Sequence, residues 1–258
     1  MNDLDITQAV SRVLSKYTKT TAPAPEQPAP AAATPLDRGS IDAIVASVLA
    51  SQAGAAPAAP VDGSAGDGVF ATMDAAITAA QQAYIQYRHC SMQDRARFVD
   101  GIRQFFLQEE ILHALSTMAV EETGMGNYAD KMVKNRVAAQ KTPGVEDLIT
   151  AAISGDGGLT LTEYSAYGVI GSITPTTNPT ETIINNTLGM LAAGNAVVFS
   201  PHPRSRQVSL YCVTLINQQL ARLGAPASLV VTVASPSIDN TNALIGDARI
   251  NMLVATGG

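Results

Sequence analysis

The pattern of apolar positions first predicts two short amphipathic helices, over residues 1–17 and 40–51. Both contain the pattern I-x-x-x-V-x-x-V-L, which starts at Ile6 in the first and at Ile41 in the second. This spacing places the apolar side chains on one face of a helix. Because so short a helix is marginal in water, its apolar stripe suits docking into a groove of a partner. The alternative is a disordered tail with incidental periodicity.

Two segments without periodicity follow these helices. Residues 18–39 and 52–68 are rich in alanine and proline, and half of the chain's 14 prolines precede residue 61. Segments of this composition cannot bury a core, so they are predicted to be extended linkers. The folded body is therefore predicted over residues 69–258.

The body changes character partway along the chain. Its first part predicts successive helices, over 69–88, 91–110, 112–123 and on to about 140. Its second part alternates predicted strands with helical periodicity. Residues 159–163 alternate apolar and polar, as in a half-exposed strand, and the apolar runs of buried strands are 168–173, 196–199, 229–233 and 250–255. Regular alternation of strand and helix predicts an α/β fold with a doubly wound, Rossmann-type parallel sheet.

Charge and cysteine content exclude several classes of protein. The net charge is −6 and no basic run is present, so nucleic acid is not an expected partner. Two cysteines do not indicate a disulfide framework, and they favour a reducing, cytoplasmic environment. No apolar stretch reaches the length of a membrane span, and no secretory signal opens the chain, so no membrane partner is expected.

The segment 168–203 carries the candidate chemistry. It reads as strand, loop, helix and strand, with Thr180 as the predicted N-cap of the helix. Ligands of parallel sheets bind outside the carboxyl ends of the strands. The two loops that leave those ends are Thr174–Asn178 and Ser200–Pro203, so these loops are the candidate site.

Three strings in the sequence point to a known family. ITPTTNPTETIINN, LAAGNAVVFSPHP and the upstream EETGMG…DK…KN closely resemble the CoA-acylating aldehyde dehydrogenases of bacterial microcompartments, from about Met73 to Gly258. The resemblance implies oxidation of acetaldehyde or propionaldehyde to its acyl-CoA, with NAD as cofactor and coenzyme A as co-substrate. It also implies a homo-oligomer at full length, inside a cytoplasmic microcompartment, and favours docking of residues 3–17 and 40–51 on shell proteins.

The resemblance also implies roles for particular residues. Asn178 is the candidate oxyanion donor, although the superfamily's asparagine occupies the place of Thr177 here. The alternative is a turn that only caps the next helix. The cofactor-binding residues implied are Thr174, Pro175, Thr176, Thr177, Ser200, Pro201, His202, Pro203, Thr256, Gly257 and Gly258.

Two of these positions depart from the superfamily pattern. Ser200 and Pro203 stand where a lysine and a glutamate usually hold the adenosine ribose, which implies an altered adenosine pocket that must also admit coenzyme A. From the residues alone, His202 is more readily a surface loop histidine. Thr256-Gly257-Gly258 resembles the start of the glycine turn that meets the cofactor phosphates.

The family reaction needs a cysteine nucleophile, whose thioester is passed to coenzyme A. Neither Cys90 nor Cys212 matches that residue, which in the family lies downstream of the TGG turn. We therefore expect the N-terminal portion of a longer enzyme, with an incomplete cofactor domain and no activity by itself. The alternatives are a non-catalytic targeting fragment and a hydrolytic aldehyde dehydrogenase, which the SPHP loop disfavours.

Overall fold

The structure, a computed structural model, describes Gly39, Ala43 and residues 68–257. Gly39 and Ala43 are helical, and the rest of the predicted helices over 1–17 and 40–51 lies outside the described residues. Gly258 lies outside the described residues. So do the predicted linkers, except for Gly39 and Gly68.

Residues 68–257 form an α/β body with one main sheet and one separate hairpin. The elements in chain order are β1 (Val69–Phe70), α1 (Met73–Tyr87), α2 (Met92–Phe106), α3 (Glu109–Thr123), α4 (Tyr128–Lys141), a 3₁₀ turn (Val145–Asp147), β2 (Ala151–Gly155), β3 (Gly158–Thr162), β4 (Val169–Thr174), α5 (Pro179–Ala192), β5 (Ala196–Pro201), a 3₁₀ turn (Pro203–Ser205), α6 (Arg206–Arg222), β6 (Val230–Val233), α7 (Ile238–Gly246) and β7 (Met252–Ala255).

The main sheet has the strand order β1-β6-β5-β4-β7, and all of its pairs are parallel. Strands β4, β5 and β6 follow one another both along the chain and across the sheet. The chain then returns across the sheet and places β7 on the other side of β4, which makes the boundary between β4 and β7 a topological switch point. The predicted α/β class and doubly wound parallel sheet are confirmed.

Two groups of helices cover the strands. Helices α1 and α7 pack against each other and on the strands, while α5 and α6 pack on the strands and against α2, α3 and α4. The hydroxyl of Tyr87 donates to the carbonyl of Leu191 at 2.9 Å, which satisfies its polar tip inside the core. The largest fully buried apolar side chains are Tyr87, Phe98, Phe105, Phe106 and Phe199.

The structure corrects the predicted start of the first body helix. Val69 and Phe70 are not helical, because they pair in parallel with Thr232 and Val233 of β6. The turn before them needs a glycine: Gly68 has φ of +70°, and a Cβ there would lie 2.2 Å from the Asn217 Nδ2.

Two further helix boundaries differ from those predicted. The helix expected to run to about 110 ends at Phe106, and α3 begins at Glu109. The predicted N-cap of α5 at Thr180 is wrong, because Pro179 takes the first helical position and Asn178 is the N-cap. Proline suits that position, since it has no N–H to leave unpaired there.

The hairpin is the part of the body that the periodicity predicted least well. Only the strand near 159–163 was expected, but it pairs in antiparallel fashion with β2. Every residue of both strands is exposed, including Ile153, Leu159 and Leu161, so the strand is not half-buried as predicted. Exposed apolar side chains on a separate ribbon are typical of an association surface.

An ion-pair cluster ties α1 to the turn before β7 and predicts acid sensitivity. The Arg249 Nη2 lies 2.6 Å from an oxygen of Asp247 and 2.6 Å from one of Asp74. Hydrogen bonding to Arg249 lowers the pKa of Asp247 from 3.8 to about 2. Because the folded pKa is below the unfolded one, this stabilisation is complete above pH 3.8 and is lost as the pH falls towards 2.

We therefore expect the free energy of unfolding to fall more steeply between pH 4 and pH 2 in the parent than in Asp247→Asn. After solvent screening the difference should be about 1 kcal/mol. Denaturant titrations at several pH values measure it. Equal slopes for the two proteins would show that Asp247 is not linked to folding.

Candidate functional site

Three loop segments meet at the carboxyl edge of the sheet. The backbone N–H of His202 donates to the Thr174 carbonyl at 3.2 Å, and the N–H of Thr256 donates to the Ile173 carbonyl at 3.1 Å. Gly257 has φ of +84°, and a Cβ there would lie 3.0 Å from the Cβ of Pro175. The structure thus brings 174–178, 200–203 and 256–257 together, with β4 at the centre.

A cavity of about 440 Å³ opens beside this edge, between α4 and α5. Its walls combine the exposed apolar side chains of α4 with amides, a carboxylate and an ammonium group. The lining residues are Val133, Lys134, Val137, Ala138, Asn178, Glu181, Thr182, Asn185, Asn186 and Thr256. A concave site with few convergent polar groups is the usual form of a small-molecule site.

The segment 174–178 leaves β4 at the switch point. Thr174 is still part of the strand and is 2% exposed, and its hydroxyl finds no hydrogen-bond partner within residues 68–257. Thr176 is buried, Thr177 is exposed and Asn178 is half-buried. Although asparagine is a favoured N-cap, the Asn178 side chain makes no capping hydrogen bond to α5.

Only the second half of the segment 200–203 is a loop, whereas all four residues were predicted to be one. Ser200 and Pro201 are the last residues of β5 and pair with Ile173 and Thr174, so the loop proper begins at His202. The buried hydroxyl of Ser200 lies 2.8 Å from the hydroxyl of Thr241. The His202 Nδ1 accepts from the N–H of Arg204 at 3.1 Å, so this exposed histidine caps the following 3₁₀ turn. Pro203 is exposed in that turn.

A carboxylate from α3 holds the helix that follows this loop. Glu122 accepts from the N–H groups of Gln207 and Val208 at 2.7 and 2.8 Å, one on each oxygen. These N–H groups lie in the first turn of α6, whose N-cap Ser205 makes no side-chain cap. The negative charge also suits the positive end of the helix dipole. Glu122 therefore fixes the exit of 200–203.

Sequence reasoning missed a buried ion pair behind the first loop. Lys131 is 1% exposed, and its Nζ donates to the Thr177 carbonyl at 2.5 Å and to a Glu181 oxygen at 3.1 Å. The hydroxyl of Thr180 donates to the other Glu181 oxygen at 3.2 Å. One turn further along α4, the Lys134 Nζ donates to the Asn178 Oδ1 at 3.3 Å.

The signal for these residues was present in the sequence. Glu122, Lys131 and Lys134 all lie within the string EETGMG…DK…KN, which carried the family resemblance. Their spacing alone predicts only a helix surface, because partners 44 or more residues away are not visible to local periodicity.

The two cysteines lie away from the cavity lining. Cys212 is fully buried within α6, and burial raises the pKa of its thiol. Cys90 lies just before α2 and is partly exposed. Its pKa is raised, mainly by partial burial of the thiol and secondly by the nearby Asp94 carboxylate. Neither environment generates the thiolate that a nucleophilic cysteine needs.

Two other kinds of site were sought in the described part of the chain. Among residues 68–257 there is no group of three or more histidine, cysteine or acidic side chains placed to hold a metal ion. In the same range, no helix combines the length and apolar character needed to cross a membrane.

Comparison with known proteins gives a consistent picture. The aldehyde dehydrogenase family model matches residues 63–258. A propanal dehydrogenase (CoA-propanoylating) of Salmonella typhimurium is 43% identical over 223 residues, which are 86% of this chain and 47% of that protein. The chain thus spans about half the length of this relative.

Solved structures agree with this comparison. Propionaldehyde dehydrogenase of Rhodopseudomonas palustris with bound propionyl-CoA is 68% identical, with a TM-score of 0.74 over 74% of this chain and 42% of that one. An engineered glycolyl-CoA reductase with bound NADP+ is 64% identical, with a TM-score of 0.74 over 78% and 44%. A propionaldehyde dehydrogenase from the fucose utilisation microcompartment of Clostridium phytofermentans is 46% identical, with a TM-score of 0.71 over 74% and 43%. The chain belongs to the aldehyde dehydrogenase family.

Proposed function

We propose that the chain forms part of an NAD(P)-dependent CoA-acylating aldehyde dehydrogenase, which oxidises propanal or acetaldehyde to its acyl-CoA. The observation that carries the proposal is the meeting of 174–178, 200–203 and 256–257 at the switch point beside the 440 Å³ cavity. The relatives that bind propionyl-CoA and NADP+ support the choice of reaction and cofactor.

The residues at the switch point fit a dinucleotide. The left-handed Gly257 lies close against Pro175, so the backbone there can approach a phosphate without a side chain in the way. The unpartnered hydroxyl of Thr174 adds a polar group at the same edge. When bound, the dinucleotide supplies the acceptor for the aldehyde's hydride. Pro203 stands where the superfamily usually has a glutamate that holds the adenosine ribose. The loss of that carboxylate suits a pocket that also receives coenzyme A.

Asn178 is the proposed oxyanion donor. Attack on an aldehyde places negative charge on the carbonyl oxygen, and an amide N–H₂ group aimed at that oxygen stabilises it. Asn178 lines the cavity and its side chain is not used to cap α5. The alternative of a hydrolytic enzyme is disfavoured by the SPHP segment, where the usual ribose-binding residues are replaced.

We expect purified residues 1–258 to form no NADH from propanal, NAD+ and coenzyme A, because neither thiol is activated. A fusion in which residues 69–257 replace the matched part of the Rhodopseudomonas palustris enzyme should form NADH. Absorbance at the nicotinamide band follows both reactions. NADH formation by residues 1–258 alone, abolished by Cys90→Ser, would refute the expectation.

The remaining parts of the proposal concern location and assembly. We place the enzyme in a cytoplasmic microcompartment, docked on shell proteins through residues 3–17 and 40–51, with the body beginning near residue 69. The microcompartment relative and the repeated apolar pattern support this.

The exposed hairpin β2–β3 supports a homo-oligomer. Light scattering of the parent and of Leu161→Glu tests whether this hairpin holds the subunits together.

A further inference from the structure

We propose that Lys134 is a positioning residue, which holds the Asn178 amide so that its N–H₂ group faces away from α4 and is free to donate. The inference rests on the proposed role of Asn178 as an oxyanion donor. The orientation of the Asn178 amide depends only on Lys134 and Asn178, and it can be tested without a catalytic assay.

The hydrogen-bonding groups of the two side chains restrict how they can meet. The Lys134 ammonium has three donors and no acceptor, so it can only approach the oxygen of an amide. Its Nζ lies 3.3 Å from the Asn178 Oδ1. The amide nitrogen of Asn178 must therefore point away from Lys134, and within residues 68–257 that nitrogen makes no hydrogen bond. Without the ammonium, the amide is free to rotate by half a turn.

Local structure removes the usual competitor for the Asn178 oxygen. An N-cap asparagine normally accepts from the N–H of the second or third residue of its helix. Here Asn178 has φ of −140° and ψ of 63°, and no such bond forms. Its backbone carbonyl is also in use, because it accepts from the Thr182 hydroxyl at 2.6 Å. Lys134 thus takes the side-chain oxygen that the helix leaves unused.

The backbone that carries Asn178 is held by the same helix. Lys131 lies three residues before Lys134 on α4 and donates to the carbonyl of Thr177, the residue before Asn178. Because Lys131 is buried and paired with Glu181, it fixes the loop, while the exposed Lys134 fixes only the amide. Loss of Lys134 should therefore rotate one side chain without unfolding its surroundings.

The test uses residues 1–258 labelled with ¹⁵N-asparagine. The side-chain N–H₂ signal of Asn178 is assigned from its loss in Asn178→Ser. In Lys134→Met this signal should shift and in Lys134→Arg, which keeps a cation that only donates, it should return towards its original position. Lys141→Met is the matched control, because Lys141 is an exposed lysine in the last turn of the same helix. An unshifted signal in Lys134→Met, or an equal shift in Lys141→Met, overturns the inference.

A second readout links orientation to catalysis in the fusion enzyme. Loss of one oxyanion donor costs about 10²–10³ in kcat. We expect Lys134→Met to lower kcat about tenfold or more with little change in KM for propanal, with Lys134→Arg recovering most of it. An inactive parent fusion would count against the proposed function and leave the amide orientation intact. A shifted amide signal with unchanged kcat would refute the positioning role.

Discussion

Replacing Lys131 with methionine is expected to lower the free energy of unfolding of residues 1–258 by about 3–5 kcal/mol. The Lys131 side chain is 1% exposed, and its ammonium binds the carboxylate of Glu181, whose side chain is 10% exposed. Methionine keeps most of the volume and removes the charge, so the Thr177 carbonyl loses its ammonium donor and the Glu181 carboxylate keeps only the Thr180 hydroxyl. Removal of one member of a buried pair is costly for this reason.

Two variants separate this effect from lost packing. Lys131→Met combined with Glu181→Leu should recover much of the loss, since no uncompensated charge then remains. Lys134→Met, at an exposed lysine of the same helix, should change stability by less than about 1 kcal/mol. Urea titrations with unchanged m-values give the comparison. Equal stability of Lys131→Met and Lys134→Met would mean that the buried pair does not stabilise the fold.

The second large effect is expected in the segments 3–17 and 40–51, which are proposed to dock on shell proteins, and four substitutions there should abolish capture by shells. The sequence pattern predicts a stripe of four or five apolar side chains on each segment, and burial of one aliphatic side chain contributes about 1.5–3 kcal/mol. Two helices on one tether gain further through effective concentration. Val10→Glu with Leu14→Glu should weaken capture, and the addition of Val45→Glu and Leu49→Glu should remove it.

The measurement is co-sedimentation of a fluorescent protein fused to residues 1–60 with assembled shells. The control for the Val10/Leu14 double variant places glutamate at Gln8 and Ser11, which adds the same two charges outside the predicted apolar stripe. Capture of the quadruple variant at the parent's level would show that the stripes are not the targeting signal.

The order of strands and helices from residue 159 could be read from the sequence, because buried parallel strands leave runs such as AVVF that are apolar on both faces. Strand β1 could not be read in this way. It has only two residues, and its pairing with β6 depends on Thr232 and Val233, more than 160 positions away. Of the exposed hairpin, only β3 was predicted. Strand β2 was missed because it buries neither face, so no apolar alternation marks it.

The candidate site also has a part that the sequence predicts and a part that it does not. The loops 174–178 and 200–203 follow from the rule that parallel strands end at one edge of a sheet. The contribution of α4 does not follow from any local rule. Lys131 looks like a surface lysine in the sequence, and only the fold shows it buried against Glu181, 50 residues away. Buried charges of this kind depend on tertiary partners, which periodicity does not contain.

The product formed by the fusion enzyme distinguishes an acylating aldehyde dehydrogenase from a hydrolytic one. Propanal, NAD+ and coenzyme A are supplied together, and mass spectrometry quantifies propanoyl-CoA and propanoate against the NADH formed. The proposed acylating function predicts one propanoyl-CoA for each NADH, little propanoate, and a marked fall in rate without coenzyme A. Propanoate formed in step with NADH, at a rate independent of coenzyme A, would contradict it.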